Sequence, residues 1–367
     1  MITKVAMLAT GDEISEGDVL NTNTPQIAQL LVQANVPIGL QISCSDTEHE
    51  MILALSVLLQ HHDLVITIGG LGPTSDDRTR FAISQVMAIP LTFSADSWQK
   101  INHHLITRPQ EVHQLNRQQA FFPIGATIFP NQFGTADGCH IQKGTKHIFM
   151  LPGPPNECLP LFERYILPIL QTKCAFSGMA RKRWLLFGAS EGEIAAQLDE
   201  ALRPFDCITG YRWCYPYLEV KIRTPQINKL NEITEVIKPF IQPYQLSEDA
   251  ELASTRLNKF LSSFDSTITI QDNATCGALQ AKIVTPKTYQ FLDFTSENTN
   301  PYYIKLSGLE EYWNSAAIPT NTELKIEFSN GKVKKEITEI ITYRNQQLLD
   351  YVTEFVAHKI YEFLTHA

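Results

Sequence analysis

Two adjacent carboxylates, Asp76 and Asp77, follow closely on the glycine-rich run Gly69-Gly70-Leu71-Gly72-Pro73-Thr74. Glycines let a backbone approach an anion and present N–H groups to it, which is how a strand–turn–helix junction cradles phosphate. Carboxylates beside such a cradle repel a phosphate unless a divalent cation or a proton lies between them. The pairing therefore points to metal-assisted chemistry on a phosphate ester. A plainer reading fits the same residues: a glycine turn before an acidic helix N-terminus, where Asp is favoured by capping and by the helix dipole. Residue type and spacing leave both open.

The elements that must position these groups are legible around them. Leu64, Val65, Ile66 and Ile68 form an apolar, largely β-branched run, and Phe81, Ala82, Val86 and Met87 recur at helical spacing beyond the turn. Two further strand–helix pairs precede this one. Lys4 to Ala9 reads as a buried strand followed by Thr10-Gly11-Asp12-Glu13. A helix over residues 22–35 then carries Ile27, Leu30, Leu31 and Ala34, with Thr24 placed to cap it and Pro25 at its first position. Pro37 to Ser43 reads as the next strand, followed by Asp46 and by Thr47 and Glu50 at capping-box spacing. Such alternation predicts a parallel α/β sheet with right-handed crossovers, whose carboxyl edge binds ligands. Asn21, Asn23 and Asp46 all fall at that edge. Each is also an ordinary turn or capping residue.

Later segments are less regular. An amphipathic stretch over 96–120 precedes strands at Ala126–Phe129 and His147–Leu151, separated by the loop Asn131 to Gly138; Pro152-Gly153-Pro154-Pro155 is a stiff turn into a helix. His61, His62, His103 and His104 fall on helical stretches and read as solvated surface. Residues 175–250 change character, with a basic strand (Lys182 to Gly188), an alternating one (Leu218 to Arg223) and two helices. From about 255 come a helix, a strand at Thr267–Ile270, a turn at 273–277, a hairpin about Asn330-Gly331 and a helix from about Arg344 to Leu364.

At 367 residues, with 44% apolar and 19% charged content, the chain has the composition of a multidomain globular protein. Its net charge of −9 argues against nucleic-acid binding driven by net electrostatics, with Arg181-Lys182-Arg183 the one obvious basic cluster. No apolar run reaches the ~20 residues of a membrane span, and a strand starting almost at Met1 leaves no room for a signal peptide, so a cytoplasmic protein is expected. Seven cysteines without a C-x-x-C pair fit reduced thiols.

Taken in order, several motifs together resemble the CinA-like family of competence/damage-inducible proteins over nearly the whole chain. They are Thr10-Gly11-Asp12-Glu13 with Gly17, Asn21-Thr22-Asn23, the Gly69 to Thr74 run with Asp76, Asp77 and Thr79, Gln119-Ala120 with Pro123 and Gly125-Ala126, Asn131 with Gly134-Thr135-Ala136, and Leu151 to Pro155. The resemblance implies three domains. Residues 1–172 form a doubly wound α/β domain of molybdopterin-binding type, acting as a divalent-metal-dependent ADP-ribose pyrophosphatase. Residues 173–250 form a small KH-like α+β domain, and residues 251–367 an α/β domain of the nicotinamide mononucleotide amidohydrolase type. It further implies that Gly69, Gly70, Leu71 and Gly72, with Thr74 and Thr79, hold a diphosphate. Asp76, Asp77 and Asp46 would hold one or two divalent cations (Mg, Mn or Co). Asn21, Asn23, Gly153 and Pro154 would position the nucleoside of a small-molecule nucleotide substrate. A homodimer is expected, without nucleic-acid or membrane partners.

Two departures matter. Asp137 stands where the family loop usually carries proline. The amidohydrolase turn Glu-Ser-Cys-Thr-Gly-Gly is replaced by Asn273-Ala274-Thr275-Cys276-Gly277-Ala278, which puts alanine at the nucleophile, and the family's glycine-rich loop is reduced to Ser307-Gly308-Leu309. Deamidase activity is therefore expected to be absent. Two alternatives stand beside the pyrophosphatase: a non-catalytic nucleotide- or pterin-binding scaffold, and a deamidase rearranged onto Thr275 or Cys276.

Overall fold

The computed structural model describes the chain apart from residues 1–3, 108–112, 175–178, 248, 296–299, 315–319, 343–346 and 367. It divides into two compact units, residues 1–178 and 179–367.

The first unit is built on a six-stranded sheet. Its strands are β1 (Val5–Thr10), β2 (Ile38–Cys44), β3 (Leu64–Ile68), β6 (Thr127–Phe129), β7 (Gly138–Lys143) and β8 (Lys146–Leu151), while β4 (Leu91–Phe93) and β5 (Phe121–Pro123) pair separately. The order is β2-β1-β3-β8-β7-β6, with β2, β1, β3 and β8 parallel, β7 antiparallel to β8, and β6 antiparallel to β7. The continuous apolar runs of the inner strands follow from burial on both faces. Ala6, Leu8, Val65, Ile148 and Met150 pack on one side against α3 (Glu48–His61) and α4 (Thr79–Met87). Val5, Met7, Ile66, Ile68, Phe149 and Leu151 pack on the other against α2 (Asn23–Gln33), α6 (Pro155–Leu161) and the π-turn and helix α7 (Leu167–Lys173) that continue it. Each of these Val, Leu, Ile, Phe and Met side chains, fully buried, is worth about 1.5–3 kcal/mol. The short α1 (Asp12–Ser15) follows β1, and α5 (Ala95–Thr107) with a 3₁₀ turn at Gln114–Ala120 occupies the amphipathic stretch on either side of residues 108–112, which lie outside the described residues.

Several local expectations are corrected. Helix α2 starts at Asn23, ahead of Thr24 and Pro25, because Asn21 takes over the turn: its Oδ1 accepts the Thr24 N–H (3.1 Å) and its Nδ2 donates to Thr24 Oγ1 (2.8 Å). The Thr47–Glu50 box does not form. Glu50 Oε2 instead accepts from the Ser45 hydroxyl (2.6 Å) and N–H (3.2 Å), which hold its carboxyl below the usual range. His62 is only partly exposed and accepts the Leu40 N–H (3.3 Å). Asp137 is 3% exposed and fully engaged: Lys100 Nζ lies 2.5 Å away, the Asn131 N–H 2.7 Å and the Ser97 hydroxyl 3.1 Å.

The second unit contains two sheets. β9 (Ala180–Phe187), β10 (Ile208–Cys214) and β11 (Tyr217–Thr224) form an antiparallel sheet of order β10-β11-β9, backed by α8 (Glu191–Ala201) and α9 (Ile227–Ile241). β12 (Ile268–Asp272), β13 (Leu292–Asp293), β14 (Tyr302–Gly308), β15 (Asn321–Ser329) and β16 (Lys334–Thr342) form the other, of order β13-β12-β14-β15-β16, including the expected hairpin at Asn330-Gly331. It packs with α10 (Ala253–Leu261), α11 (Ala278–Ile283) and α13 (Leu348–His366); the short α12 (Glu310–Asn314) precedes β15. Arg344, the expected start of the last helix, lies outside the described residues. Leu185, Phe187 and Tyr217 of the three-stranded sheet belong to the core of the five-stranded one.

Candidate active site

A cavity of about 570 Å³ opens at the carboxyl ends of β1, β3 and β8. Thr10, Ile68 and the turn Pro152 to Pro155 reach it because parallel strands deliver their C-terminal residues to one edge.

The glycine turn lines the cavity from Gly69 to Gly72. Gly69 and Gly70 hold φ of +104° and +63°, values that disfavour any Cβ. A Cβ at Gly69 would also lie 2.5 Å from the Thr10 carbonyl oxygen, and one at Gly70 would collide with the Thr79 hydroxyl. The turn's carbonyls are held from behind: Gly69 O by Thr79 Oγ1 (2.9 Å), Leu71 O by the buried Arg80 (2.9 Å), and Gly72 O and Thr74 O by Gln118 Nε2 (3.2 and 2.5 Å). By contrast, no acceptor among the described residues takes the N–H groups of Gly70, Leu71 or Gly72. Three donors in succession at a cavity wall suit an anion. Thr79, expected among the ligand-binding residues, is 1% exposed and serves to brace the turn, and Thr74 likewise stands outside the cavity lining.

The carboxylates differ from one another. Asp76 is exposed at the cavity, and hydrogen bonds from the Thr74 hydroxyl and from the N–H groups of Asp76 and Asp77 hold its carboxyl below the usual range. That hydroxyl has one proton, and its short contact is to Asp77 Oδ2 at 2.5 Å, which also accepts the Thr74 N–H at 2.8 Å. Asp77 thus closes the turn as well as lining the cavity. Asp46 exchanges hydrogen bonds with Asp12: Asp12 N–H to Asp46 Oδ2 (3.1 Å) and Asp46 N–H to Asp12 Oδ1 (2.9 Å). Burial, and then the negative charges of Asp12, Glu13 and Asp76, raise its pKa against the lowering effect of the Asp12 N–H. Among the described residues no three acids, histidines or cysteines stand close enough together to hold a metal ion. The donors are nevertheless hard oxygens in a field of excess negative charge. They fit a small divalent ion bound through one or two carboxylates, with substrate phosphates and water as the remaining ligands.

Asn23, also at the cavity, joins two segments. Its Nδ2 donates to Gly153 O (2.6 Å), which fixes the amide's orientation, and its Oδ1 is buried without a partner. Asn23 is 8% exposed and lines the cavity, so Oδ1 offers an acceptor to a ligand hydroxyl or amine. Asn21 lines the cavity while capping Thr24, and Gly153 stands 3.8 Å, measured from the Cβ it lacks, from Gly69 Cα. Pro154 opens α6. Glu157 and Gln119 also line the cavity and were not among the expected site residues. Glu157 accepts from Asn131 Nδ2 (2.6 Å) and Gln119 donates to Thr135 Oγ1 (3.0 Å). The one sequence signal for Glu157 is its place in the first helical turn after the proline turn.

In the second unit, the turn after β12 is closed on itself. Thr275 is 1% exposed and its hydroxyl donates to Asp272, whose carboxylate also accepts the N–H groups of Ala274 (3.1 Å) and Thr275 (2.8 Å). A hydroxyl so placed caps a turn and is not presented as a nucleophile. Cys276 is exposed, at φ +50°.

Residues 6–172 match the family described as "Probable molybdopterin binding domain". A CinA-like protein of Citrifermentans bemidjiense is 30% identical over 291 residues, covering 76% of this chain and 68% of its own length. A CinA-like protein of Dictyoglomus thermophilum is 26% identical over 366 residues, covering 96% and 82%. A crystal structure of the protein CinA from Thermoplasma acidophilum is 28% identical and covers 44% of this chain and 95% of its own, with a TM-score of 0.41. No helix among the described residues is long and apolar enough to cross a membrane. The chain belongs to the CinA-like family, and its first unit is the molybdopterin-binding-type domain of that family.

Proposed function

We propose that the chain is a metal-dependent pyrophosphatase that hydrolyses ADP-ribose or a related nucleotide diphosphate in its first unit. The observation that carries this reading is the row of N–H groups at Gly70, Leu71 and Gly72 without an acceptor among the described residues, in a turn that lines the same cavity as Asp46 and Asp76. The N–H row binds the diphosphate and fixes its register. Asn23 Oδ1 accepts a ribose hydroxyl or base amine, so the nucleoside lies toward the Gly153 turn. Asp46, Asp76 and Asp77 would hold a divalent ion, which would supply neutralisation of phosphate charge and a bound water of lowered pKa. Asp46, with its raised pKa and its acidic neighbours, is the carboxylate whose ionisation such an ion would favour most.

A second reading, a nucleotide- or pterin-binding scaffold, is favoured by the absence of a three-group metal cluster among the described residues. Asp77→Ala and Asp76→Asn separate the two. The pyrophosphatase reading expects Asp76→Asn to bind ADP-ribose while losing most metal-dependent turnover, and Asp77→Ala, which also releases the Thr74 turn, to lose turnover as well. Full turnover in Asp77→Ala removes Asp77 from the metal-holding set. Tight binding by the unaltered protein with no product over hours, at any divalent metal, favours the scaffold.

A further inference from the structure

Two residues that open α4, Thr79 and Arg80, hold three successive carbonyls of the glycine turn. Thr79 Oγ1 donates to Gly69 O (2.9 Å), the Thr79 N–H to Gly70 O (3.3 Å) and Arg80 Nη1 to Leu71 O (2.9 Å). A trans peptide points its N–H opposite to its C=O. These carbonyls share their peptides with the N–H groups of Gly70, Leu71 and Gly72, so the three N–H groups point away from α4. The turn lines the cavity, whereas Thr79 and Arg80 do not.

Arg80 is the costly member of this arrangement. It is 1% exposed, and its side chain makes one hydrogen bond among the described residues, the one to Leu71 O; Nε and Nη2 have no partner there. No carboxylate among the described residues forms an ion pair with it, and the charges of Asp77 and Asp137 act on it from further off. Burial pulls its guanidinium down to about 10, which leaves it charged at neutral pH. It also stands in the first turn of α4, the end at which the helix dipole disfavours a cation. A buried, unpaired cation destabilises a fold. Neither ion pairing nor helix formation offsets that cost here.

The cavity gives the charge a use. Its lining includes five acids, Glu13, Asp46, Asp76, Asp77 and Glu157, and no lysine, arginine or histidine. An anion that enters therefore meets no positive side chain. We propose that Arg80 is a positioning residue for the phosphate groups of the ligand, acting through the Leu71–Gly72 peptide; the inference rests on the reading of this cavity as a nucleotide-diphosphate site. A carbonyl that accepts from a cation polarises its peptide, and the N–H of that peptide becomes a stronger donor. Arg80 thus fixes the direction of the Gly72 N–H, strengthens it, and places behind the turn a positive charge that solvent screens little. A lysine or arginine inside the cavity would pair with its carboxylates. Held behind the turn, Arg80 leaves them open to a divalent ion.

The test is calorimetric titration of the full chain with ADP-ribose in the presence of a chelator, where a metal-dependent enzyme leaves the ligand intact, and with Mn²⁺ alone. Arg80→Met should weaken ADP-ribose binding by about tenfold or more. Arg80→Lys, which keeps the charge, should bind within about threefold of the unaltered protein. Mn²⁺ should bind Arg80→Met several-fold more tightly, because a positive charge has left the neighbourhood of Asp77. A turn merely loosened would bind both ligands more weakly. Arg80→Gln, neutral but still a donor, is the second variant if circular dichroism shows Arg80→Met to be unfolded, and the same outcomes apply to it. The inference is overturned if ADP-ribose does not bind the unaltered protein at millimolar concentration, if the neutral variants bind it unchanged, if Arg80→Lys binds no better than they do, or if the affinities for ADP-ribose and Mn²⁺ fall together. Turnover by the unaltered protein is scored separately. Turnover with unchanged binding in the neutral variants sinks this inference alone; binding that follows the charge at position 80, with no turnover at any metal, sinks the pyrophosphatase reading alone.

Discussion

Gly70→Ala should separate the geometry of the phosphate turn from its mere flexibility. At φ +63° an alanine costs about 1–2 kcal/mol from backbone strain alone. The new methyl also collides with Thr79 Oγ1 and lies 3.2 Å from Thr10 Oγ1, so the Thr79 side chain must turn and give up its 2.9 Å bond to Gly69 O. Losing that bond costs about 1 kcal/mol more. The sum, roughly 2–3 kcal/mol, corresponds to a fall of about 4–12 °C in the midpoint of a domain this size. Shifting the N–H row by even ~1 Å should lower turnover about a hundredfold. Gly125→Ala is the matched control, since Gly125 has φ +81° but nothing within 4 Å of its missing Cβ. It should lose stability by the strain alone and keep its activity. The assay pairs thermal unfolding with product formation from ADP-ribose. If Gly70→Ala turns over as the unaltered protein does, the turn is not the phosphate cradle, whatever happens to the midpoint.

Three further outcomes are expected. Asp137→Ala leaves Lys100, Ser97 and the Asn131 N–H without their shared acceptor and, at about 1–3 kcal/mol for a buried donor so orphaned, should cost roughly 3 kcal/mol in a denaturant titration; a cost below about 1 kcal/mol would mean that Asp137 is not an anchor. His140 stacks on Phe149 and, through burial and then the charges of His147 and Lys173, has its pKa depressed to about 4. It is neutral in the fold, so its contribution is fully present above the ordinary value near ~6.5 and is lost as pH falls toward 4. Replacing it by Phe should flatten the stability–pH curve in that window, and an unchanged curve would assign the acid sensitivity elsewhere. Nicotinamide mononucleotide should release no ammonia with the full chain, and Thr275→Ala should make no difference; release abolished by Thr275→Ala or Cys276→Ala would establish a rearranged deamidase.

What was legible in the sequence was what local physics dictates. Strands β1, β3 and β8 could be read because burial on both faces demands unbroken apolar runs, and the glycine turn because positive φ at Gly69 and Gly70 excludes other residues. The strand Gly138–Lys143 was missed: it begins in a glycine loop, carries no unbroken apolar run and gains its identity only by pairing with β8. The second role of Asp77 was hidden because one carboxylate can face a cavity and close a turn at once. Asp137 looked like a disruption of its loop because its partner Lys100 lies 37 residues away on α5. Asn23 was legible as a polar residue at a strand-to-helix edge; only the Gly153 contact, 130 residues distant, shows which of its atoms is free.

We propose that the first unit cleaves a nucleotide diphosphate at the Gly69–Gly72 turn. The most direct test is incubation of the purified full chain with ADP-ribose, with and without Mg²⁺, Mn²⁺ or Co²⁺, followed by product identification by mass spectrometry. AMP and ribose phosphate are expected in equal amounts, dependent on the metal and reduced about a hundredfold in Gly70→Ala. Intact ADP-ribose at every metal, with the protein folded and the ligand bound, would contradict the proposal.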